Sequence, residues 1–98
     1  MILGKVVGTV VATQKDRGLE GFKLQVIQTL DIQTLRPGSR FLVAVDAVGA
    51  GTNEVVLCTS GSSARMTGST EDRPVDAVVV AIVDSVEMEG ETTYRKHP

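Results

Sequence analysis

The side chains in this chain that could do chemistry are few: the carboxylates Asp46, Asp76 and Asp84, the guanidinium of Arg65, the hydroxyls of Ser62 and Ser63, the thiol of Cys58 and the imidazole of His97. Two of the carboxylates near Arg65 would make an acid–base pair. With no metal-ligand cluster and no histidine between them, a structural ion pair or turn hydrogen bonds are the expected role. His97 is the only histidine and stands next to the C-terminal residue, where chains fray, so a triad or metal site built on it lacks a rigid support. Cys58 sits in the apolar run Val55-Val56-Leu57-Cys58, without a second thiol or an imidazole to lower its pKa, and is expected to be a small buried hydrophobe. Ser62 and Ser63 have no base partner, which leaves capping and hydrogen bonding at an interface. Gly49-Ala50-Gly51 has the outline of a phosphate-cradling loop, but the lysine and hydroxyl that make such a loop work are missing and no helical period follows. The expectation is therefore no catalytic residue, no cofactor and no metal ligand.

Composition points the same way. The chain has 98 residues, enough for one domain (1–98) whose core alone gives marginal stability, so extra burial in an oligomer is a natural supplement. Apolar residues are 42% and aromatics 3%, so the core must be made of Val, Leu, Ile and Ala, which favours strands. A net charge of -2 with dispersed basic residues gives no field for neutralising phosphates, and nucleic acid is not expected as a partner. The lone cysteine fits a reducing cytosol. No apolar run reaches bilayer length, and no leader pattern opens the chain, so no membrane association is expected.

The elements that would position these residues read as strands. Ile2 to Thr13 suits a pleated surface, with Gly4 and Gly8 on one face marking a bend, a bulge or a close backbone. Phe22, Leu24, Val26 and Leu30 alternate with Lys23, Gln25 and Thr29, giving a second strand with one wet face. Pro37-Gly38 signals a turn, and Arg40 to Asp46 a third strand with Phe41, Val43 and Val45 on one face. Asn53 to Thr59 is the fourth. A serine then caps one helical turn at Gly61 to Arg65, ahead of a polar segment, Met66 to Arg73, expected to be mobile. Val75 to Val86 is apolar on both faces, one for the core and one for a partner. Glu87 to Glu91 makes an acidic turn, and Thr92 to Arg95 a short last strand. Five or six strands with one helical turn imply an all-β fold, a closed or nearly closed small barrel.

Two glycines around a small residue, in Val48-Gly49-Ala50-Gly51, let backbones approach closely at a tight turn or where identical loops converge on a symmetry axis. With Ser62, Ser63 and Arg65 they form the candidate subunit interface or pore.

Taken in order, Leu3 to Lys15, Leu19-Glu20-Gly21-Phe22-Lys23-Leu24, Val45 to Gly51, Gly61-Ser62-Ser63-Ala64-Arg65 and Pro74 to Asp84 resemble the EutN/CcmL family of bacterial microcompartment vertex proteins over nearly the whole chain. The resemblance implies an OB-like barrel that forms a cyclic homopentamer. It also implies a place at the icosahedral corners of a shell in the cytoplasm, among hexameric shell proteins, with no enzymatic role. The end after Val83-Asp84, with Tyr94-Arg95-Lys96, and the Asp72-Arg73-Pro74 approach to the last long strand are more similar to carboxysomal members, which serve carbon dioxide fixation in photosynthesis, than to ethanolamine or propanediol relatives. It departs from the carboxysomal pattern at Val55, where tryptophan is usual, and at Ser63, where alanine is frequent. The alternatives are a catabolic compartment's vertex protein and, from another class, an OB-type module that binds a polymer such as single-stranded nucleic acid.

Overall fold

A computed structural model describes residues 1–71 and 76–97. Asp72, Arg73, Pro74 and Val75, on which parts of the mobile-segment and long-strand expectations fall, lie outside the described residues. Five strands, β1 (Ile2–Val10), β2 (Lys23–Leu30), β3 (Pro37–Asp46), β4 (Val55–Ser60) and β5 (Ala77–Ile82), close a barrel in the order β1-β2-β3-β5-β4. Two more, β6 (Ser85–Met88) and β7 (Glu91–Arg95), pair with each other alone and form an arm. Short 3₁₀ turns lie at Arg17–Leu19 and Gly61–Met66. The chain is elongated, 44 × 24 × 24 Å.

Closure rests on a narrow seam. The β3–β5 pairing is parallel and has two register pairs, Val45 with Val78 and Asp46 with Val79, extended by the Ala47 amide donating to the Val79 carbonyl at 3.3 Å. The other ladders are antiparallel and longer.

Apolar residues are sorted into two clusters. Val6, Ile27, Ala44, Ala50, Val56, Cys58, Ala77 and Val79 fill the barrel with help from Ile2, Leu42 and Ile82. Outside the sheet, Val45, Ala64 and Val78 form a second cluster with Leu19, Phe22, Leu24, Ala47 and Val80. Val78 and Val79 are each fully buried, on opposite faces of β5, and each buried valine contributes about 1.5–3 kcal/mol relative to exposure. The second face of this strand was expected to await another chain. At Val78 it is covered within this one, where Ala64 of the Gly61–Met66 turn joins the same cluster, while Val80 and Ala81 are only partly buried.

Bulges explain where strict alternation misleads. Between Val6 and Gly8 the register against β2 slips, so Val7 is the extra residue and Gly4 and Gly8 end on opposite faces. Between Val79 and Ala81 it slips against β4, making Val80 extra and turning Ile82 into the barrel although Val78, an even number of residues before it, lies in the outer cluster. In β2 the expected wet face is the barrel interior: Gln25 and Ile27 are buried, while Leu24 joins the outer cluster. Phe41 and Val43 of β3 point out and stay 59% and 48% exposed, whereas Val45 of the same row is buried.

The turn expected at Pro37-Gly38 lies earlier, at Asp31–Leu35. Asp31 Oδ1 accepts from the amides of Gln33 and Thr34 at 2.8 and 2.9 Å, and Leu35 takes a φ of 59°. Those two amides hold the Asp31 carboxyl below its ordinary pKa. Pro37 is the first residue of β3, where its missing N–H costs the ladder least. The long final strand also divides. It ends at Ile82, and Ser85–Met88 turns into the arm, joined to β7 through Glu89 and Gly90 with φ of 53° and 80°, both positive as a two-residue hairpin requires. The short last strand is present, from Glu91 to Arg95.

Cys58 is fully buried, and burial pushes its thiol up to about 11. At neutral pH it is therefore expected to resist iodoacetamide until the barrel is unfolded in denaturant, which mass spectrometry of the alkylated chain would check.

Candidate functional site

The glycine-bearing loop after β3 is shaped by carboxylates that clasp its amides. Asp46 Oδ1 accepts from the amides of Val48 and Gly49, both at 2.9 Å, the turn hydrogen bonding that short side chain favours. At the other end Glu54 Oε1 accepts from the Gly51 amide at 2.6 Å. Gly49 has a φ of 78° and no heavy atom within 4 Å of where a Cβ would lie. Gly51 has no positive φ, and a Cβ there would meet Glu54 Oε1 at 3.3 Å.

Gln25 braces the loop from inside the barrel. It is 1% exposed. Its amide nitrogen donates to the Ala50 carbonyl at 2.9 Å and to Asp46 Oδ2 at 3.3 Å, while its oxygen accepts from the Thr9 hydroxyl at 3.2 Å. Every polar atom of the amide thus has a partner, as burial demands. Because Asp46 also stands at the β3–β5 seam, one side chain ties loop, seam and β1 together. Gln25→Leu is expected to keep the barrel but leave the Ala50 carbonyl unpaired, lowering stability by about 1–3 kcal/mol in urea unfolding followed by circular dichroism.

The expected interface residues divide by exposure. Val48 and Gly49 face solvent, Gly51 is half-buried, and Ala50 packs in the barrel interior, so Val48 and Gly49 are what a neighbour would meet. Ser62, Ser63 and Arg65 are exposed on the Gly61–Met66 turn, while Ala64 between them is buried. Ala64 and Ala47 pack on the same Val45–Val78 cluster, so one patch of packing brings the turn and the base of the loop to the same side of the barrel. Ser60 holds the N-cap position but its side chain makes no capping bond. The Gly61 amide donates instead to the Asp76 carbonyl at 2.7 Å. The following segment, expected to be mobile, is anchored over its described part by Thr70, which is fully buried and whose hydroxyl donates to the Ala64 carbonyl.

The three candidate carboxylates serve different places. Asp46 caps the loop. Asp76 is exposed beside the Gly61 amide, and the Asp84 carbonyl accepts from the Lys96 amide at 2.8 Å at the root of the arm. His97 is exposed. Phe41 is exposed and sits across from Gln28, while Val43 faces Val26 and Val26 faces Gly8. Gly8 adds no side chain to this apolar face. Phe22 is half-buried in the outer cluster, so it does not complete a pair of open aromatic faces of the kind on which bases stack.

Sequence reasoning did not find Gln25, Glu54 or Lys96. Lys96 Nζ donates to Glu54 Oε2. That ammonium, followed by the Gly51 amide, holds the Glu54 carboxyl below its ordinary value, and Glu54 in turn raises Lys96. A lowered carboxyl contributes stability that is present above the unfolded-state value and lost as pH falls through the folded one. A raised ammonium contributes stability lost only as pH rises through its own high folded-state value. The link is therefore expected to hold across neutral pH and to part in acid, with Lys96→Met flattening that part of the acid limb in thermal unfolding scans at a series of pH values.

A family model described as ethanolamine utilisation protein EutN/carboxysome matches residues 1–84. Carboxysome shell vertex protein CcmL of Synechocystis sp. is 48% identical over 96 residues, covering 98% of this chain and 95% of that protein. The structure of Gloeobacter violaceus CcmL superposes with a TM-score of 0.94 at 42% identity, over 100% of both chains. The GrpN pentameric microcompartment shell protein from Rhodospirillum rubrum superposes with a TM-score of 0.81 at 49% identity, over 90% of this chain and 100% of that one.

Proposed function

This chain belongs to the EutN/carboxysome family, and we propose that it is a structural shell protein whose pentamers close the vertices of a bacterial microcompartment of the carboxysome type, in the cytoplasm. The observation that carries this reading is the full-length likeness in sequence and fold to named shell vertex proteins, one of them pentameric. The physical role follows from geometry. Hexagonal tiles make a flat sheet, and a head-to-tail contact whose rotation closes after five copies supplies the corner that lets the sheet close.

The whole chain acts as one domain, 1–98, without catalysis. Its partners are four further copies and the hexameric tiles around the corner, with no nucleic acid or membrane. Around the axis, Val48, Gly49 and Gly51 approach their counterparts, while Ser62, Ser63 and Arg65 lie near the contact between neighbours. The exposed Phe41–Val43 face and side-chain-poor Gly8 support side-by-side packing, because an apolar surface admits another barrel closely.

Native mass spectrometry at micromolar concentration tests the assembly. A five-copy species is expected, and a stable monomer would overturn the reading. Co-expression with hexameric tiles of a carboxysome and, separately, of a catabolic shell tests the compartment: capture by the carboxysomal set is expected, and capture by the catabolic set alone would move the assignment.

A further inference from the structure

Glu54 joins two parts of the chain that are far apart in sequence and serve different purposes. One carboxylate oxygen takes the Gly51 amide and the other takes the Lys96 ammonium. Lys96 directly follows β7, and its amide is bonded to the Asp84 carbonyl just before β6. Val83 fastens the same root to the barrel through its amide and the Val55 carbonyl at 2.8 Å. Val86, Met88 and Tyr94 belong to neither apolar cluster. The arm is thus a two-stranded unit held chiefly at its root, and such hairpins are marginal by themselves.

We infer that Glu54 is a positioning residue through which the β6–β7 arm sets the conformation of the Val48–Gly51 loop. This rests on the reading that the loop lies at the five-fold axis. The path is short and made of fixed atoms. Glu54 also donates its own amide to the Gly51 carbonyl at 3.2 Å, and Asn53, with a φ of 70°, donates to the Val6 carbonyl at 2.8 Å, so residues 51–54 form a tight turn clamped to β1. In that clamp the carboxylate cannot follow Lys96 without pulling on Gly51. Asp46 and Gln25 hold the near side of the loop to the barrel, leaving the Gly51 side as the one the arm controls.

A displacement of the arm would then reach the Val48–Gly51 loop through one ion pair and one hydrogen bond. The charged and titratable groups beside the link are Lys5 and Tyr94, which line the same groove with Asn53 and Val55, and Asp84 next to Lys96.

Amide resonances of the full chain, recorded by NMR across a pH series, test this. An amide bonded to a carboxylate titrates with it, so the Gly51 proton is expected to report Glu54 with a midpoint below that of an ordinary glutamate. In Lys96→Met that midpoint should rise, the Gly51 amide should exchange with solvent severalfold faster, and the Val48 and Gly49 resonances should move. Lys96→Arg should restore all three, and Lys15→Met, an exposed lysine outside the strands, should change none. Unaltered Gly51 titration and exchange in Lys96→Met would overturn the coupling, as would loop changes of equal size in Lys96→Arg. Native mass spectrometry of the same samples separates the two ideas: loss of coupling in an intact pentamer sinks this inference alone, and coupling in a chain that is monomeric sinks the axial reading.

Discussion

Gly4→Val is expected to prevent the barrel from forming, and Gly4→Ala to lower its stability by about 1–3 kcal/mol, the usual cost of overpacking a filled interior. A Cβ at Gly4 would stand 2.4 Å from Ile27 Cγ2 and 3.1 Å from the Gln28 carbonyl oxygen. The first contact is one that folded proteins do not tolerate, and the second is with backbone that cannot swing aside. Ile27 is fully buried in the barrel and Gly4 is paired on both sides, to Thr29 of β2 and Val56 of β4, so neither strand can back away without opening a ladder. Combining Gly4→Ala with Ile27→Leu, which removes the offending γ-methyl, should recover part of the loss. Urea midpoints of the three variants measure this, and equal midpoints for Gly4→Ala and the parent would refute it.

Gly49→Asn is expected to leave the barrel folded and abolish the pentamer. At a φ of 78° most side chains are strained by about 1–2 kcal/mol, but asparagine enters this region more readily than other residues. Inside the chain a Cβ here meets no heavy atom within 4 Å beyond its chain neighbours, which leaves room for a short side chain in the isolated barrel. Gly49→Val adds the strain of a β-branched residue and is expected to lose assembly together with some stability. Comparing native mass spectra with thermal melts separates the two effects. A fully pentameric Gly49→Asn would mean the loop is not crowded by its counterparts. Gly51 is a poorer place for this test, because a side chain there would first displace Glu54.

The sequence made the all-β class, the barrel and its five strands readable, the fifth with too long a span, because valine-rich runs bounded by glycine and polar segments have few other uses. It did not show which face was inside. In β2 the interior is occupied by Gln25 and Ile27 rather than Leu24 and Val26, and a buried glutamine looks like a solvated one until its partners at Asp46, Ala50 and Thr9 are known. The extra residues Val7 and Val80 change facing partway along two strands, and alternation of apolar residues carries no mark of where that happens. The outer apolar side of β5 was visible in sequence, but that Ala64 would cover it at Val78 was not, since a short turn of Gly, Ser and Ala advertises little burial. The candidate interface residues were legible as side-chain-poor loops. Their bracing was hidden because Glu54 and Lys96 are 42 positions apart and nothing local links them.

Circular closure of the sheet governs how copies of the chain can meet. In the barrel, β3 leaves Pro37 to Ala44 without a ladder partner on the side of β5, and the two strands of the arm pair only with each other. There β6 spans four residues and includes Glu87, while β7 opens Glu91-Thr92-Thr93 with every one of the three exposed. Short, acidic margins of this kind are poor templates for strand-by-strand growth. At the high local concentrations reached while a shell is being built, the arm is thereby a poor seed for fibrillar accretion.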